Sequence, residues 1–220
     1  MSENLLVIFD VDGVLSDTGP VHYESWKKLA DEIGVEFNWE FFEETFGQKS
    51  VPITRKLVGE VPSSRKIKKW ADLKEYYYRE MVKDKLEPLS GVLTLLKDLR
   101  REGFKLAVGS SGPPANVDLL LKSLNIKHFF DIIITSADVS KSKPSPDAFL
   151  KVAKKLNITS EHCLVIEDAP VGIEAAKRAN MKVIALTTTH PQEDLKDADL
   201  ILSELTKLTS KKILNLIKNE

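Results

Sequence analysis

Short apolar runs alternate with amphipathic helical segments over most of this chain, and that alternation limits the fold more than any other feature. The runs are LLVIF, FKLAVG, DIIIT, CLVIE and KVIAL. Between them, apolar residues recur at i, i+3, i+4 and i+7, the stripe of an amphipathic helix, as in Val92, Leu95, Leu96 and Leu99. Continuous apolar runs joined by helices are typical of strands buried on both faces of a parallel sheet. The sequence therefore predicts an α/β fold with a doubly wound parallel sheet.

The segment after the first run interrupts this alternation. From about residue 18 to residue 86 there is no convincing strand pattern, and the segment is predicted to be helical throughout. A parallel sheet normally continues after one crossover helix, so a block of this length indicates an insertion. We predict a core formed by residues 1–17 and 87–220, an inserted helical unit at 18–86, and hinges at 16–18 and 87–91.

Charge and composition exclude several classes of function. The 220-residue chain has a formal net charge of −1, which argues against a broad electrostatic grip on nucleic acid or an anionic membrane. Its lone cysteine, Cys163, excludes an internal disulfide and a cysteine-rich metal site. No stretch approaches the roughly 20 apolar residues of a membrane span, and Asp10 interrupts the first run too early for a signal peptide. We expect a cytoplasmic monomer or weak homodimer that binds neither nucleic acid nor membranes.

Polar side chains follow four of the predicted strands at the point where each strand ends. They are Asp10 and Asp12 after LLVIF, Ser110 and Ser111 after FKLAVG, Lys143 in the loop after DIIIT, and Glu167 and Asp168 after CLVI. In an open parallel sheet, ligands bind outside the carboxyl ends of the strands. We therefore expect these residues to meet at one edge of the sheet.

The chemistry of this set indicates a metal ion and a phosphoryl group. Two carboxylates 4 Å apart repel by about 4 kcal/mol at an effective dielectric constant near 20, and three or four of them repel more. A hard divalent cation relieves that repulsion, and Mg²⁺ suits a few carboxylates together with a carbonyl, waters and a phosphate oxygen. A lysine and a hydroxyl suit the phosphoryl group.

Each residue also has an ordinary structural interpretation when it is taken alone. Ser110 is a common turn or helix-cap residue, Lys143 before a proline fits a surface loop, and Asp168 could cap the following helix. The DxDG sequence is not a calcium-binding loop, because Gly13 comes too early and Val21 occupies the place of the closing glutamate. The order of these residues at four strand ends favours a shared functional site.

The combination resembles the haloacid dehalogenase-like superfamily, specifically its branch of phosphatases and phosphomutases. FDVDGVLSDT is similar to the first motif of that superfamily, VGSSG to the second, KSKPSPDAF to the third and VIEDAPVGIEAAKRA to the fourth. The resemblance covers nearly the whole chain and is closest to the β-phosphoglucomutase-like proteins. It implies a Rossmann-like core with a small helical cap inserted after the first strand.

The resemblance also implies catalytic roles. Asp10 would attack the substrate phosphorus and form an aspartyl-phosphate, and Lys143 would offset the repulsion between that carboxylate and the phosphoryl group. Asp12 would protonate the departing oxygen and then take a proton from the hydrolytic water. Ser110 would hydrogen-bond the transferring phosphoryl group.

The implied metal ion is Mg²⁺. Its ligands would be the Asp10 carboxylate, the Asp12 carbonyl and Asp168, with Glu167 near the metal or its waters. Gly13 would let the backbone turn closely around the site. Gly13 and Ser111 are also predicted to bind the substrate.

The helical cap should select the substrate, and here the likeness to β-phosphoglucomutases weakens. Those enzymes carry a basic residue just before the cap glycine and an arginine three positions after it. With Gly47 as the anchor, these places hold Phe46 and Ser50. Arg79 falls about where the mutases place a cap lysine. We predict that His22, Lys49, Arg55 and Arg79 contact the substrate; the alternative for the three basic residues is a solvated surface position.

The sequence thus predicts a Mg²⁺-dependent phosphatase that acts on a small phosphorylated metabolite, a sugar or polyol phosphate. One alternative is an isomerase, a β-phosphoglucomutase with a rearranged cap. Another is a non-catalytic binding protein with the same fold, although a binder has no need for Asp12 beside Asp10. Dehalogenation fits less well, since it needs neither Mg²⁺ nor the acidic pair Glu167 and Asp168.

Overall fold

The computed structural model describes residues 4–59, 62–83 and 85–218. In this part of the chain, six parallel strands form one sheet in the order β3-β2-β1-β4-β5-β6. The strands are β1 (Leu6–Phe9), β2 (Lys105–Gly109), β3 (Ile132–Ile134), β4 (Cys163–Glu167), β5 (Lys182–Leu186) and β6 (Leu200–Leu202). This arrangement confirms the predicted α/β fold with a parallel sheet.

The five apolar runs identified in the sequence form β1 to β5. The sixth strand was not predicted. It has three residues, all only partly buried, and it pairs with β5 alone at the edge of the sheet. A strand that is short and incompletely covered lacks the long apolar run that marks the central strands.

Helices cover both faces of the sheet and bury alternate side chains of each strand. In β1, Val7 and Phe9 belong to one hydrophobic cluster, and Leu6 and Ile8 belong to the other. This two-sided burial explains why the strand is continuously apolar. The helices that contribute to the first cluster are α5 (Val92–Arg101), α6 (Pro114–Ser123) and α9 (Ser210–Lys218), and those that contribute to the second are α7 (Asp147–Leu156) and α8 (Pro170–Arg178).

Four further helices lie between β1 and α5 and have a hydrophobic cluster of their own. They are α1 (Gly19–Ile33), α2 (Trp39–Thr45), α3 (Ser50–Val58) and α4 (Ser64–Val82). Their buried centre consists of Trp26, Leu29, Phe42, Phe46 and Ile53. A separate cluster is what an inserted helical unit requires, because its apolar face must be buried without the sheet.

The two segments that connect this helical unit to the core touch each other. The Ser16 hydroxyl donates to the Glu87 carbonyl over 2.7 Å, and the Leu89 amide donates to the Leu15 carbonyl over 3.0 Å. Entry and return therefore lie side by side, where hinges were predicted. Residues 1–3, 60–61, 84 and 219–220 of the predicted domain ranges lie outside the described residues.

Glycine or asparagine after an amphipathic stripe marks the end of several helices. Gly34 follows α1 with a φ of 73°, and Asn157 follows α7 with a φ of 54°. Both are left-handed conformations, which glycine and asparagine tolerate best at a helix end.

Within the described ranges, no helix combines the length and apolar character needed to cross a membrane.

Candidate active site

The polar residues at the strand ends converge at the centre of the sheet. Asp10 follows β1, Ser110 follows β2 and Glu167 ends β4, and these three strands are neighbours. The Asp10 amide donates to the Ile166 carbonyl of β4 over 3.0 Å, which continues the sheet register into the loop. From β1 the chain first adds β2 and β3 on one side and then β4, β5 and β6 on the other. Such a switch point in strand order opens a crevice at the carboxyl ends of the strands.

Three carboxylates meet in this crevice. Asp10, Glu167 and Asp168 are buried, and one oxygen of each lies within 4.8 Å of the others. Burial raises the pKa of Asp10 to about 7; Glu167 and Asp12 also raise it, and Lys143 opposes them. Burial likewise raises the pKa of Asp168 well above its usual range, and the charges of Glu167 and Asp10 add to this effect. Burial and mutual repulsion thus disfavour the charged forms of Asp10 and Asp168, which a bound cation would stabilise.

Lys143 is the cation within this cluster. Its ammonium donates to Asp10 over 2.6 Å and also to Glu167, and the lysine is itself buried. Burial alone would lower the pKa of Lys143, but the adjacent carboxylates of Asp10 and Glu167 outweigh burial and raise it. One positive charge shared by two carboxylates leaves a net negative site, which suits a divalent cation.

Glu167 is fixed by the backbone that follows it. Its Oε2 atom accepts hydrogen bonds from the amides of Asp168 (3.0 Å) and Ala169 (3.3 Å). The first turn of α8 approaches so closely that a Cβ atom at Gly172 would lie 2.0 Å from the Glu167 carboxyl group. Glycine at this position is therefore part of how the site is built.

Asp168 is held by residues that follow β5. Its carboxylate accepts a hydrogen bond from the Thr189 hydroxyl, and His190 Nδ1 lies 3.1 Å from its backbone carbonyl. Sequence reasoning missed both residues. Their signal was the sequence TTTH directly after KVIAL, a fifth strand end to which the strand-end argument applies equally.

Gly13 lies against Asp168. Its φ is 74°, and a Cβ atom there would come within 1.9 Å of Asp168 Oδ2. Only a residue without a side chain allows this turn and this approach together. The Gly13 amide donates to the Ser16 carbonyl over 2.9 Å, within the same turn. The predicted role of Gly13 in substrate binding remains a prediction.

Asp12 lies beside the carboxylate cluster but has a different environment. Its Oδ1 atom accepts a hydrogen bond from the Thr18 hydroxyl over 2.6 Å and lies 3.2 Å from His22 Nε2. Burial opposes ionisation of Asp12, yet the hydrogen bonds from His22 and Thr18 and the charge of Lys74 together lower its pKa. The neighbouring carboxyl groups Asp10 and Asp12 thus have pKa values shifted in opposite directions by different surroundings.

His22 is oriented by a buried lysine. The Lys74 ammonium lies 2.6 Å from His22 Nδ1, and the imidazole stacks on Tyr78 with ring centres 4.0 Å apart. An ammonium group only donates, so Nδ1 accepts and the imidazole hydrogen is on Nε2, facing Asp12. The sequence analysis predicted that His22 contacts the substrate, and this remains a prediction; the structure places His22 Nε2 3.2 Å from Asp12 Oδ1.

One cavity joins the strand ends to the helical unit. On the core side it is lined by Asp10, Asp12, Ser110, Ser111, Gly112, Pro113 and Asp168, and on the helical side by His22, Trp26, Phe46, Gly47, Gln48, Ser50, Ile53, Lys74 and Glu75. The Ser110 hydroxyl accepts a hydrogen bond from the Gly112 amide over 2.9 Å, which turns this loop toward the cavity. Asp10, Asp12, Ser110 and Ser111 therefore face one space.

The three basic cap residues predicted to contact substrate lie outside the cavity: two bind groups of the core, and the third is exposed. Lys49 donates to the carbonyls of Ser136 (2.8 Å) and Val139 (2.9 Å) in the core. Arg79 donates to Asn116 of α6 over 2.9 Å, and Arg55 is exposed on α3. None of the three lines the cavity. Their contact with substrate remains a prediction.

Lys74 and Glu75 line the cavity instead, and sequence reasoning missed both. A signal was present in α4, where Ile67, Ala71, Tyr78 and Val82 form a buried stripe and Lys74 falls within it. A charged residue on the apolar stripe of a helix is costly to bury unless it is paired. Its place within the buried stripe distinguishes Lys74 from the exposed charged residues elsewhere on the same helix.

The donor set fits a hard divalent metal ion. All three clustered residues offer carboxylate oxygens, and the described residues of the site contribute neither a thiolate nor an imidazole to that cluster. Oxygen-only sets suit Mg²⁺ and similar ions, whereas zinc sites use nitrogen and sulfur. The raised pKa values of Asp10 and Asp168 indicate charge that a cation would stabilise.

Comparison with known proteins agrees with this geometry. The chain is 31% identical over 211 residues to β-phosphoglucomutase of Bacillus subtilis, with 92% of this chain and 91% of that protein covered. It is 30% identical over 203 residues to validoxylamine A 7'-phosphate phosphatase of Streptomyces hygroscopicus subsp. limoneus, at 92% and 95% coverage. It is also 34% identical over 200 residues to the protein SUPPRESSOR OF QUENCHING 1 of Arabidopsis thaliana. That match covers 87% of this chain and only 19% of the plant protein.

Solved structures give the same picture. The crystal structure of β-phosphoglucomutase from Clostridium difficile superposes with a TM-score of 0.89 at 28% identity and covers 98% of both chains. A family profile described as "Haloacid dehalogenase-like hydrolase" matches residues 7–186, from the strand before Asp10 to the end of β5. Since that match spans most of the chain, the protein belongs to the haloacid dehalogenase-like hydrolase family.

Proposed function

We propose that the protein is a Mg²⁺-dependent phosphatase that hydrolyses a small phosphorylated metabolite, a sugar or polyol phosphate, through an aspartyl-phosphate. One observation carries the proposal: Asp10 and Asp12, two residues apart, face the same cavity, with Lys143 on the Asp10 carboxylate and with Thr18 and His22 on the Asp12 carboxyl group. The names of the relatives, which include a phosphatase of a phosphorylated compound, support this reaction class.

Asp10 is the nucleophile in this proposal. Its carboxylate lies at the base of the cavity with Lys143 on one oxygen at 2.6 Å. A carboxylate oxygen attacks phosphorus, the bond from phosphorus to the leaving oxygen breaks, and the phosphoryl group passes to Asp10. Lys143 offsets the negative charge that builds up, and Ser110 is placed to hydrogen-bond the phosphoryl group. Mg²⁺ bound by Asp10, Asp168 and the Asp12 carbonyl, with Glu167 nearby, would supply further charge neutralisation.

Asp12 is the general acid and base. Protonated, it gives its proton to the leaving oxygen; ionised, it takes a proton from the water that hydrolyses the aspartyl-phosphate. His22 and Thr18 hold the carboxyl group in place from the helical side, and Lys74 fixes the His22 ring. This links the position of the helical unit to the orientation of the acid.

The division of the chain into a core and a cap belongs to the same proposal. Residues 1–17 and 87–220 would form the catalytic core, and residues 18–86 would open and close over it about the adjacent segments at Ser16 and Glu87. Closure would exclude bulk water from the aspartyl-phosphate.

A β-phosphoglucomutase activity is the second candidate. The likeness to the β-phosphoglucomutases of B. subtilis and C. difficile supports it, as does the contact between His22 and Asp12. Phe46 and Ser50 argue against it, because a mutase must bind one phosphate at the cap while another is transferred at Asp10, and neither residue offers a positive charge. The Ser50 hydroxyl also donates to Glu75, an acidic neighbour.

The test is phosphate release from a panel of sugar and polyol phosphates, each with and without Mg²⁺. We expect Mg²⁺-dependent release, and loss of at least 99% of turnover in Asp10→Asn, since an amide is not a nucleophile. Asp17→Asn, which alters an exposed aspartate seven residues along, is the matched control and should keep full activity. Turnover by Asp10→Asn above a few per cent would overturn the assignment of the nucleophile.

The same panel separates the two candidates. With glucose 1-phosphate as substrate, formation of glucose 6-phosphate is measured beside phosphate release. Faster isomerisation than release would establish the mutase and overturn the phosphatase.

A further inference from the structure

The helical side of the cavity carries a buried ion pair that the reaction itself does not use. Lys74 and Glu75 are consecutive residues of α4, and their side chains are 2% and 9% exposed. The Lys74 ammonium lies 3.2 Å from Glu75 Oε1. Both residues line the cavity, beyond the carboxyl groups that act on the phosphorus.

Both oxygens of the Glu75 carboxylate are anchored. Oε1 accepts hydrogen bonds from the Ser50 hydroxyl and from Lys74, and Oε2 accepts one from Asn116 Nδ2 over 2.5 Å. Asn116 lies on α6 of the core, and its Oδ1 accepts from Arg79 over 2.9 Å. The carboxylate is thus held rigidly at the junction of the cap and the core.

These contacts keep Glu75 ionised within the protein. Burial opposes ionisation, but the charge of Lys74 and the hydrogen bonds from Ser50 and Lys74 outweigh it and lower the Glu75 pKa. A group that is ionised and fixed acts on any ligand that enters the cavity.

The positive charge of Lys74 is already committed. One donor direction of its ammonium points to His22 Nδ1 at 2.6 Å and another to Glu75, and the ammonium lies 5.1 Å from the centre of the Trp26 ring. The remaining residues on the helical side of the lining are neutral: His22, whose Nδ1 accepts from Lys74, together with Trp26, Phe46, Gly47, Gln48, Ser50 and Ile53. Among the described lining residues, Lys74 and Glu75 therefore cancel, and the cap side carries no net charge with which to bind a second anion.

We propose that Glu75 makes the cap side of the cavity selective for a substrate whose distal end is uncharged and bears hydroxyl groups, and that it disfavours a second phosphate or a carboxylate there. This inference rests on the proposed phosphatase function and narrows its substrate class to monophosphates of polyols and neutral sugars. Carboxylate lone pairs accept from hydroxyl donors, and the Gln48 side chain offers both a donor and an acceptor. A distal phosphate would instead face a fixed negative charge without a free cation, an unfavourable contact in a cavity of low dielectric constant.

Mannitol 1-phosphate and mannitol 1,6-bisphosphate provide a clean comparison, because the two ends of mannitol are equivalent and only the distal group differs. We expect kcat/KM of the unmodified enzyme to be at least tenfold higher for the monophosphate. Calorimetric binding to Asp10→Asn should show the same preference in Kd without turnover. Equal or tighter binding of the bisphosphate would overturn the proposal, and so would a monophosphate that binds no better than methyl phosphate.

Glu75→Gln tests the residue itself. The amide keeps the size of the side chain and removes its charge, so Lys74 is left uncompensated, and bisphosphate binding should improve at least tenfold relative to the monophosphate. Glu80→Gln, an exposed position on the same helix, removes the same charge from the chain and should leave the ratio unchanged. An unchanged ratio in Glu75→Gln, or an equal shift in both variants, would show that Glu75 does not set the preference.

Failure of this inference is distinguishable from failure of the phosphatase proposal. Mg²⁺-dependent turnover of p-nitrophenyl phosphate reports on the reaction, and it depends little on the cap side because this substrate carries no second phosphate or carboxylate. The Kd ratio of the two mannitol phosphates reports on the cap alone. If the protein hydrolyses neither p-nitrophenyl phosphate nor mannitol 1-phosphate, the phosphatase proposal is refuted. The ratio of the Kd values for the two mannitol phosphates would still decide the role of Glu75.

Discussion

Gly172→Ala should destabilise the protein even though alanine is the better helix former. Gly172 lies in the first turn of α8, where an alanine Cβ would come 2.0 Å from both Cδ and Oε1 of Glu167. Helix propensity alone predicts that the substitution stabilises the fold by about 1 kcal/mol. The sign of the measured change therefore tests whether the contact with Glu167 decides the outcome.

The structure gives the size of the opposing effect. Glu167 is 1% exposed, and Lys143 and the amides of Asp168 and Ala169 hold its carboxylate on several sides. To make room, the carboxylate must leave at least one of these charged hydrogen bonds, each worth about 1.5–3 kcal/mol, and overpacking strain adds about 1–3 kcal/mol. After the helix gain is subtracted, we expect a net loss of about 1.5–5 kcal/mol. In a chain of this size that lowers Tm by roughly 3–20 °C.

Urea unfolding without metal measures the change, and a double-mutant cycle identifies its cause. In a Glu167→Ala background the clash is gone, so Gly172→Ala should become neutral or stabilising by about 1 kcal/mol. Gly172→Ala should also weaken Mg²⁺ binding measured by calorimetry, since Glu167 moves. A stabilising effect of Gly172→Ala in the otherwise unmodified protein would refute the steric argument.

Three further predictions follow from the site and the core. Asp12→Ala should still bind Mg²⁺ but lose at least 100-fold in kcat on alkyl phosphates and much less on p-nitrophenyl phosphate, whose leaving group hardly needs a proton; equal losses would refute the acid role. Arg79→Gln should lower kcat/KM for the preferred monophosphate more than tenfold, about 1.4 kcal/mol, because it loosens Asn116, whereas Arg65→Gln, an exposed position on the same helix, should change it less than threefold; equal effects would contradict this distinction. Burial raises the pKa of Cys163 to about 12, so iodoacetamide at pH 8 should label it only after unfolding; rapid labelling of the folded protein would show that the thiol is accessible.

Much of the fold and of the catalytic centre was predictable because both depend on patterns along the chain. Strands buried on two faces must be apolar throughout, which revealed β1 to β5. The short edge strand β6 carries no such constraint and was missed. Parallel strands end at a common edge, so polar residues at their ends must be close in space whatever the details of packing.

That rule located Asp10, Asp12, Ser110, Glu167 and Asp168. It applied equally to Thr189 and His190 after β5, which were overlooked although the signal was present. Their partner is fixed only in three dimensions, where the loop after β5 folds back onto Asp168.

The substrate-facing side of the cap was decided by tertiary structure. In the sequence, Arg79 occupied the expected position of a basic cap residue, but Lys74 and Glu75 line the cavity. Arg79 lies one helical turn beyond Glu75 and so shares its face of α4, but it contacts Asn116 of α6 and does not line the cavity. Which of these side chains reaches the cavity depends on the rotation and the axial position of α4 against α1 and α6. Many weak packing contacts set that rotation together, and no short motif records it.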